Sequence, residues 1–421
     1  MPIPILAEAV FNGLSSIPFV YPLLKLLPWL GLVYLLKVYF GGASNTSERL
    51  MHSKVVMITG GTSGVGAAVA LALAQRGAQI ILLTHYPPSD PFLVDYIEDL
   101  RSQTSNELIY AEQVDLSDLH SIRRFATRWV DNAPPRRLDL LILCAATMTA
   151  PLATAAEKTG DGLEVNWAVN YLANFHLLSI LSPAIRAQPA DRDVRVLMAT
   201  CATYIGAQLE PKTAASRASP RVSPRASTFS SRGVYGSSKL ALMVFAQSFQ
   251  QHLDAYQRPD KQPMNARVIV VDPGWSRTPG MRRWLTAGSL WGLMLYLITW
   301  PLWWLVLKSP AQGAQSFLRA AMEAELGTGH GGKMIKECRE VVYARSDIKD
   351  ESVAKALWQQ SEEQIQRIEK EGAVRRALQK KETEEEEAAK SAGTNGQPAA
   401  TTRSSKSSEK TPGSRRSRKA G

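Results

Sequence analysis

The chain has 421 residues, and its 49 Lys and Arg outnumber 38 Asp and Glu to give a formal net charge of +11. Nearly all of this excess lies in two stretches, because residues 373–421 hold twelve basic and six acidic side chains and residues 210–232 hold five and one. A domain that binds nucleic acid carries its basic residues on folded elements, so this distribution argues against nucleic acid as a partner.

A hydrophobic content of 45% allows a substantial core and excludes a wholly disordered or collagen-like chain. The three cysteines, Cys144, Cys201 and Cys338, show no paired spacing and no even count. This pattern argues against a disulfide scaffold and a zinc site, fits a reducing compartment, and gives no reason to expect a bound metal.

Residues 17–40 form an apolar stretch, broken by Lys25 and Lys37, that is long enough to cross a bilayer. Three prolines within it would kink or break a helix, so a bent insertion into one leaflet fits the sequence as well as a straight span. A helix packed on the following domain is the third alternative. No basic segment precedes the apolar stretch, which argues against a cleaved signal peptide. We expect residues 1–45 to be a membrane-associated segment and hinge.

From Ser53 to Ser346, apolar runs of strand length alternate with helical stretches. The predicted strands are Lys54–Thr59, Gln79–Thr84, Leu108–Val114, Leu138–Leu143, Val194–Ala199, Arg267–Val271 and Lys333–Lys336. The predicted helices are Gly64–Arg76, Ser117–Asn132, Leu163–Ile185, Val234–Tyr256 and Ala311–Leu326. This alternation predicts an α/β fold, with a doubly wound parallel sheet in a single domain over residues 53–346.

Two segments interrupt this alternation and two follow it. Residues 210–232 are rich in Ser, Pro and Arg, which predicts a disordered surface insertion. Residues 285–307 carry no charge and four tryptophans. A span there would separate the last elements of the sheet from the others, so we expect an apolar flap that dips into one leaflet or covers a lipophilic pocket. Residues 347–372 are expected to form a terminal helix and residues 373–421 a disordered basic tail.

A glycine-rich turn joins the first predicted strand to the first predicted helix. Glycines there permit a tight turn and a close backbone approach to a pyrophosphate, and the helix N-terminus offers free N–H groups to it. A glycine cluster alone is also found in ordinary loops, but its place between strand and helix favours dinucleotide binding. The candidate residues are Thr59, Gly60, Thr62, Ser63, Gly64, Val65 and Gly66.

Tyr235 and Lys239 stand four residues apart in a predicted helix, so both side chains lie on one face. A free tyrosine has a pKa of about 10, and a neighbouring ammonium lowers that pKa toward the range useful in acid–base catalysis. Such a pair alone occurs by chance on many helices. Together with the upstream glycine turn it predicts proton transfer beside a bound dinucleotide.

The TGxxxGxG turn and the YxxxK pair, in this order and spacing, resemble those of the short-chain dehydrogenase/reductase family over residues 53–346. The resemblance implies a Rossmann-like fold and hydride transfer between a nicotinamide and a carbonyl or alcohol carbon. It implies that Tyr235 donates or accepts the proton, that Lys239 lowers the pKa of that tyrosine and binds the nicotinamide ribose, and that Asn170 positions the lysine through water.

The same resemblance implies further contacts with the cofactor. Asp115 and Leu116 match the family's residues beside the adenine, and Pro273, Gly274 and Thr278 match its PGxxxT element beside the nicotinamide.

Two departures from the family pattern concern the active site. Where the family has a serine that hydrogen-bonds the substrate oxygen, this sequence has Thr200 in one register and Cys201 in the other. A hydroxyl can donate to a developing oxyanion without thiolate chemistry, so Thr200 is the preferred candidate. The family's NNAG motif is replaced by a stretch with Ala145 and Ala146, which still permits close cofactor approach but loses the asparagine contacts.

The residues that end the second strand bear on the choice of cofactor. An acidic residue there would bind the ribose 2′-hydroxyl of NAD and repel a 2′-phosphate. The sequence has Thr84 and His85 instead, and His85 can take the place of the arginine found in NADP-using relatives. This favours NADP(H), with NAD(H) left open; the alternative is that His85 is an ordinary surface residue.

The stretch 308–315, K-S-P-A-Q-G-A-Q after an apolar segment, looks like the retinol-dehydrogenase-like branch of the family. That branch acts on retinoids, steroids and other lipophilic carbonyls, often at the endoplasmic reticulum. The sequence therefore predicts a membrane-associated oxidoreductase of a small sterol-, retinoid- or lipid-aldehyde-like substrate, at the endoplasmic reticulum or a lipid droplet with its catalytic domain facing the cytosol. Membrane lipid is an expected partner, and the family's pairing through sheet-flanking helices leaves a homodimer open. The alternative is an inactive nucleotide-binding scaffold that recruits partners at the membrane.

Overall fold

The computed structural model describes the backbone of residues 20–151, 156–209 and 231–394. It describes the side chains of residues 25–151, 156–209 and 233–385. Contacts divide the chain into two compact units, Met1–Glu369 and Lys370–Gly421. The strands are β1 Val55–Thr59, β2 Gln79–Thr84, β3 Ile109–Gln113, β4 Leu140–Leu143, β5 Val194–Ala199, β6 Ala266–Asp272, β7 Lys333–Lys336 and β8 Arg339–Val341. The helices are α1 Val20–Gly41, α2 Gly64–Ala74, α3 Pro91–Thr104, α4 Leu119–Val130, α5 Val165–Arg186, α6 Ser231–Asp254, α7 Pro279–Leu285, α8 Leu290–Ile298, α9 Trp300–Val306, α10 Pro310–Met322 and α11 Glu351–Thr394.

One sheet with strand order β3-β2-β1-β4-β5-β6-β7-β8 forms the centre of the first unit. The strands from β1 to β7 are parallel and only β8 is antiparallel. Successive β1 side chains enter opposite cores: Val55 and Met57 pack on the face of α4, α5 and α6, whereas Val56 and Ile58 pack on the face of α2 and α10. Burial on both faces explains the continuous apolar runs of these strands and confirms the predicted Rossmann-like, doubly wound fold.

Helix α5 passes through the core and contains a π-helical turn at Ala168–Leu172. Within the described residues it is the one helix long and apolar enough to cross a bilayer, and 78% of its most apolar window is buried inside the protein. Core helices meet the same criteria, so its composition is explained by packing.

Helix α1 lies within the predicted membrane segment and, at 22 residues, is about 33 Å long. Its large apolar side chains are exposed, so it is not a helix packed flat on the domain. Its C-terminal end does contact the domain, because the Lys37 ammonium donates to the carbonyl oxygens of Trp304 at 2.6 Å and Leu307 at 3.3 Å.

The predicted flap, residues 285–307, consists mainly of α8 and α9, of nine and seven residues. Neither is long enough to span a bilayer, which requires about 20 residues. A parallel bridge between Ser276 and Lys308 closes the neck of this excursion. The flap therefore leaves and re-enters the domain at one place, which leaves the sheet order intact.

Two parts of the C-terminal region differ from expectation. The terminal helix continues to Thr394, beyond the expected end at residue 372, and an ion pair between Lys380 and Glu384, one helical turn apart, supports it there. Residues 395–421 and nearly all of the predicted insertion 210–232 lie outside the described residues. Strand β8 was not predicted, because three half-exposed residues give almost no periodic signal.

Candidate active site

The site lies where the parallel strands end, at one edge of the sheet. The glycine turn follows β1, the Ala145–Ala146 loop follows β4, Cys201 follows β5 and the Pro273–Thr278 loop follows β6. Open parallel sheets bind ligands at this carboxyl edge, so the fold brings together the elements that the sequence could only place along the chain.

The glycine turn approaches other backbone more closely than any side chain would allow. A Cβ on Gly66 would lie 2.1 Å from the Gly60 carbonyl oxygen. Gly60 has φ +68°, and a Cβ on Gly60 would lie 2.8 Å from the Ala145 Cα. Ser63 caps α2 without a side-chain hydrogen bond, which leaves the first N–H groups of that helix to a ligand. The turn therefore has the close backbone approach and free N–H groups that binding of a dinucleotide phosphate would require.

Neighbouring loops brace the turn at several points. The Ala145 N–H donates to Thr59 Oγ1 at 3.2 Å, and the Thr278 methyl group would lie 3.0 Å from a Cβ on Gly64. The Tyr96 hydroxyl donates to the Gly61 carbonyl at 2.8 Å. Tyr96 was missed by sequence reasoning because it lies on α3, which carries no recognisable cofactor motif.

Tyr235 and Lys239 lie on α6 and are both buried, with 8% and 2% of their surface exposed. The Lys239 ammonium donates to the Ala199 carbonyl at 3.0 Å and stands 5.9 Å from the centre of the Tyr235 ring. Burial, and then the neighbouring Cys201, raise the pKa of Tyr235 well above its usual value. This direction is opposite to the lowering that the resemblance implies. Burial also lowers the pKa of Lys239.

Asn170 sits in the π-helical turn and binds the loop after β4. Its Oδ1 accepts from the Thr147 N–H at 2.8 Å, while its Nδ2 donates to the Thr147 carbonyl at 3.0 Å and to Ser238 Oγ at 3.2 Å. Ser238 in turn donates to the Tyr235 carbonyl at 2.8 Å. Ser238 therefore links Asn170 to the tyrosine helix, a role that its spacing of three residues after Tyr235 could have indicated.

The loop after β5 carries both candidates for the position of the family's serine, Thr200 and Cys201. Cys201 lies close enough to the Tyr235 phenol to raise its pKa, and the sulfur shares a hydrogen bond of 2.8 Å with Thr203. Thr200 is 3% exposed, and its hydroxyl has no hydrogen-bond partner among the described residues. Cys144, after β4, lies near Lys239; burial raises the pKa of its thiol to about 11, although the lysine charge opposes this. The site therefore contains a thiol where the family has a hydroxyl.

The residues expected at the adenine end lie after β2 and β3. Thr84 Oγ1 accepts from the Tyr86 N–H at 3.3 Å, and the exposed His85 ring lies over the Tyr86 ring at 3.9 Å between centroids. The Asp115 carboxylate accepts from the backbone and hydroxyl of Ser117, at 2.8 and 2.7 Å, and Leu116 packs against the core. No acidic side chain ends β2, as the sequence indicated.

The loop after β6 connects the cofactor cradle to the flap. Gly274 has φ +72°, and the buried Ser276 hydroxyl has no partner among the described residues. A Cβ on Gly313 would meet that hydroxyl at 2.4 Å and the Val65 side chain at 3.0 Å. Gly313, the glycine of the 308–315 motif, thus lets α10 pack closely on both the loop and the helix of the glycine turn.

Comparison with known proteins identifies the family of the chain. The model of the short chain dehydrogenase family matches residues 54–196. A Schizosaccharomyces pombe protein described as an uncharacterized oxidoreductase is 41% identical over 374 residues, 88% of this chain and 97% of that protein. Mouse (Mus musculus) retinol dehydrogenase 13 is 28% identical over 79% of this chain and 90% of its own length, and mouse polyprenol dehydrogenase is 30% identical over 72% and 82%. The fold is similar to a crystal structure of a Mycobacterium paratuberculosis protein, with a TM-score of 0.52 and 23% identity over 77% of this chain and 98% of that one.

Proposed function

The chain belongs to the short-chain dehydrogenase family, in its retinol-dehydrogenase-like branch, and on that premise we propose that it transfers hydride between NADP(H) and a lipophilic alcohol or carbonyl compound at a membrane surface. The observation that carries the proposal is the buried group of Tyr235, Lys239 and Asn170 beside the glycine cradle. A bound nicotinamide supplies or accepts the hydride.

The proton chemistry follows from the protonation state of Tyr235. Because its pKa is raised by burial, the phenol is protonated near neutral pH and is ready to donate to a carbonyl oxygen that gains negative charge. Cys201 can donate a second hydrogen bond to the same oxygen. A protonated phenol suits the reductive direction, in which the substrate oxygen gains a proton.

The preference for NADP(H) rests on the end of β2. Thr84 and the exposed His85 place no carboxylate against a ribose 2′-phosphate, and an imidazole can donate to phosphate oxygens. NAD(H) remains the alternative that a direct comparison of the two cofactors resolves.

The lipophilic substrate class is supported by the flap and by the relatives. Retinol and polyprenol, after which two of the relatives are named, are both long apolar alcohols. The flap is joined to the Pro273–Thr278 loop by α7 and exposes apolar side chains over most of α8 and α9. A substrate that is dissolved in a bilayer could then reach the site without crossing water.

Membrane association is supported by the contact between two segments far apart in sequence. The Lys37 ammonium binds the C-terminal carbonyls of α9 and lies 5.0 Å from the centre of the Trp304 ring, so α1 and the flap meet. Their exposed side chains are Leu26, Leu27, Trp29, Leu30, Leu32, Val33, Tyr34, Leu35, Val38 and Tyr39 on α1, and Leu290, Trp291, Leu293, Met294, Leu295, Leu297, Ile298, Trp300, Leu302 and Trp304 on the flap. An apolar surface of this extent is typical of membrane-binding proteins.

The proposal is tested by NADPH oxidation with a panel of retinoid, steroid and long-chain lipid aldehydes and ketones in detergent micelles. Turnover with long apolar carbonyls and much less with short water-soluble ones is expected. Failure of the whole panel, in protein that binds NADPH, would count against the proposed substrate class.

A further inference from the structure

We propose that residues 343–369 are a positioning element for the active site. This segment contacts the elements that carry Cys201, Asn170 and Tyr235, on the sides that face away from the site. The inference rests on the proposed function, since it concerns the same site. It assigns a role to a C-terminal segment that carries no catalytic motif and lies beyond the last strand of the sheet.

The segment first fixes the turn that follows Cys201. The Arg345 guanidinium donates to the carbonyl oxygens of Ile205 at 3.2 Å and Tyr204 at 3.4 Å, and also to that of Ala207. The Ala344 N–H donates to the Tyr204 hydroxyl at 3.3 Å. Several hydrogen bonds to a single turn restrict its conformation, and this turn sets where the Cys201 thiol points.

Helix α11 then covers the π-helical turn that carries Asn170. The Tyr171 hydroxyl shares a buried hydrogen bond of 2.7 Å with Ser361, and the Trp167 indole donates to Gln364 Oε1 at 3.3 Å. Asn170 lies between these two contacts in sequence, yet its own side chain bonds to Thr147 and Ser238. One face of the turn is thus held by α11 while the other serves the site.

The same helix also packs on the helix that carries Tyr235. The Trp358 ring meets Phe245 at 5.7 Å and His252 at 5.8 Å, and it meets Phe175 of α5 edge-on at 5.1 Å. Near the end of the segment, Glu369 pairs with Arg123 at 2.5 Å. Aromatic packing fixes the spacing of α5 and α6, whereas the hydrogen bonds of Ser361 and Gln364 fix the turn itself.

This division allows the hydrogen bonds to be removed without the packing. The double variant Ser361→Ala, Gln364→Ala keeps Trp358 and the apolar contacts of α11. Because small displacements of a catalytic group are costly, we expect kcat to fall about ten-fold while the Kd for NADPH changes less than about two-fold. Hydrogen–deuterium exchange of residues 165–175 should become faster in the variant, and this measurement does not require an active enzyme.

The matched control is Glu363→Ala, Gln366→Ala, two exposed positions on the same helix. It should leave kcat and exchange unchanged. Tyr171→Phe removes the same hydrogen bond as Ser361→Ala, but by removing the tyrosine hydroxyl. The double variant Tyr171→Phe, Ser361→Ala should therefore lose no more of kcat than either single variant. This second route serves if the Ser361→Ala, Gln364→Ala variant does not fold.

Unchanged kcat and unchanged exchange in folded Ser361→Ala, Gln364→Ala would overturn the inference. So would an equal loss in the control, or a loss matched by weaker NADPH binding, because either would indicate a merely structural role. If the wild-type protein reduces no lipid carbonyl, the proposed function fails; the exchange measurement still decides whether α11 holds the Asn170 turn.

Discussion

At the scale of single residues, the side chains of the site are positioned either by one local element or by contacts between elements. Tyr235, Lys239 and the glycines are recognisable because their spacing is fixed by one helix or one turn. The choice between Thr200 and Cys201 depends on how the chain leaves β5, and a shift of one residue turns a side chain away from the site. Ser238 and Tyr96 were missed because their roles arise from contacts with other elements.

Removal of the polar atom should lower kcat at Cys201 but leave it nearly unchanged at Thr200. Cys201→Ala removes the thiol that lies beside Tyr235 and that is proposed to donate to the substrate oxygen, so it is expected to lower kcat for reduction about 10²-fold, the usual cost of a lost oxyanion donor. Thr200→Val replaces a buried hydroxyl without a partner among the described residues and should leave kcat within about three-fold. Steady-state kinetics of both variants decides between them, and a large loss in Thr200→Val alone would restore the original preference.

The raised pKa of Tyr235 predicts a pH dependence that differs between the two directions. Reduction needs the protonated phenol, which persists until the pH passes the raised pKa, so its kcat should be flat from about pH 6 to 9. Oxidation needs the phenolate and should become faster throughout that range. These profiles are measured with saturating substrates in each direction. A reduction rate that falls ten-fold by about pH 9 would indicate that Lys239 lowers the tyrosine pKa after all.

At the scale of elements, buried strands and the helices between them were predictable because burial on both faces leaves continuous apolar runs. The strands from β1 to β7 were each found within about two residues of their ends. Two limits are instructive. The π-helical turn in α5 leaves no mark on apolar periodicity. Helix α11 extends 22 residues past residue 372, where the sequence predicted its end because the charged side chains that follow resemble those of a disordered tail.

The flap should carry a measurable share of membrane binding. Trp291→Ser, Leu295→Ser and Ile298→Ser together remove exposed apolar surface from α8, so co-flotation with phosphatidylcholine vesicles should weaken at least ten-fold, since each buried side chain contributes about 1.5–3 kcal/mol. Turnover of a short soluble aldehyde should not change. The matched control is Phe92→Ser, Leu108→Ser, Val342→Ser, three exposed apolar residues outside the flap and α1. Equal weakening in both variants would argue against a specific membrane-binding flap.

At the scale of the whole molecule, the charge of +11 does not describe the catalytic part of the chain. The basic excess lies in residues 210–232 and 373–421, whereas the sheet and its helices are nearly neutral. What the sequence could not reveal is that two segments far apart in the chain both bind the catalytic domain. Residues 43–47 bind Glu337, Gln315 and Glu323 on the domain, and residues 343–369 cover the site-bearing helices. Such contacts join distant parts of the chain and have no local signature.

The central claim is that this chain moves hydride from a nicotinamide to a lipid carbonyl while Tyr235 supplies the proton. It is tested most directly with NADPH carrying deuterium at nicotinamide C4, incubated with a long-chain lipid aldehyde and analysed by mass spectrometry of the alcohol product. Wild-type protein should place one deuterium on the carbinol carbon, and Tyr235→Phe should bind NADPH equally well but form no labelled alcohol. Labelled alcohol from Tyr235→Phe at the wild-type rate, or none from a wild-type protein that binds NADPH, would contradict the account.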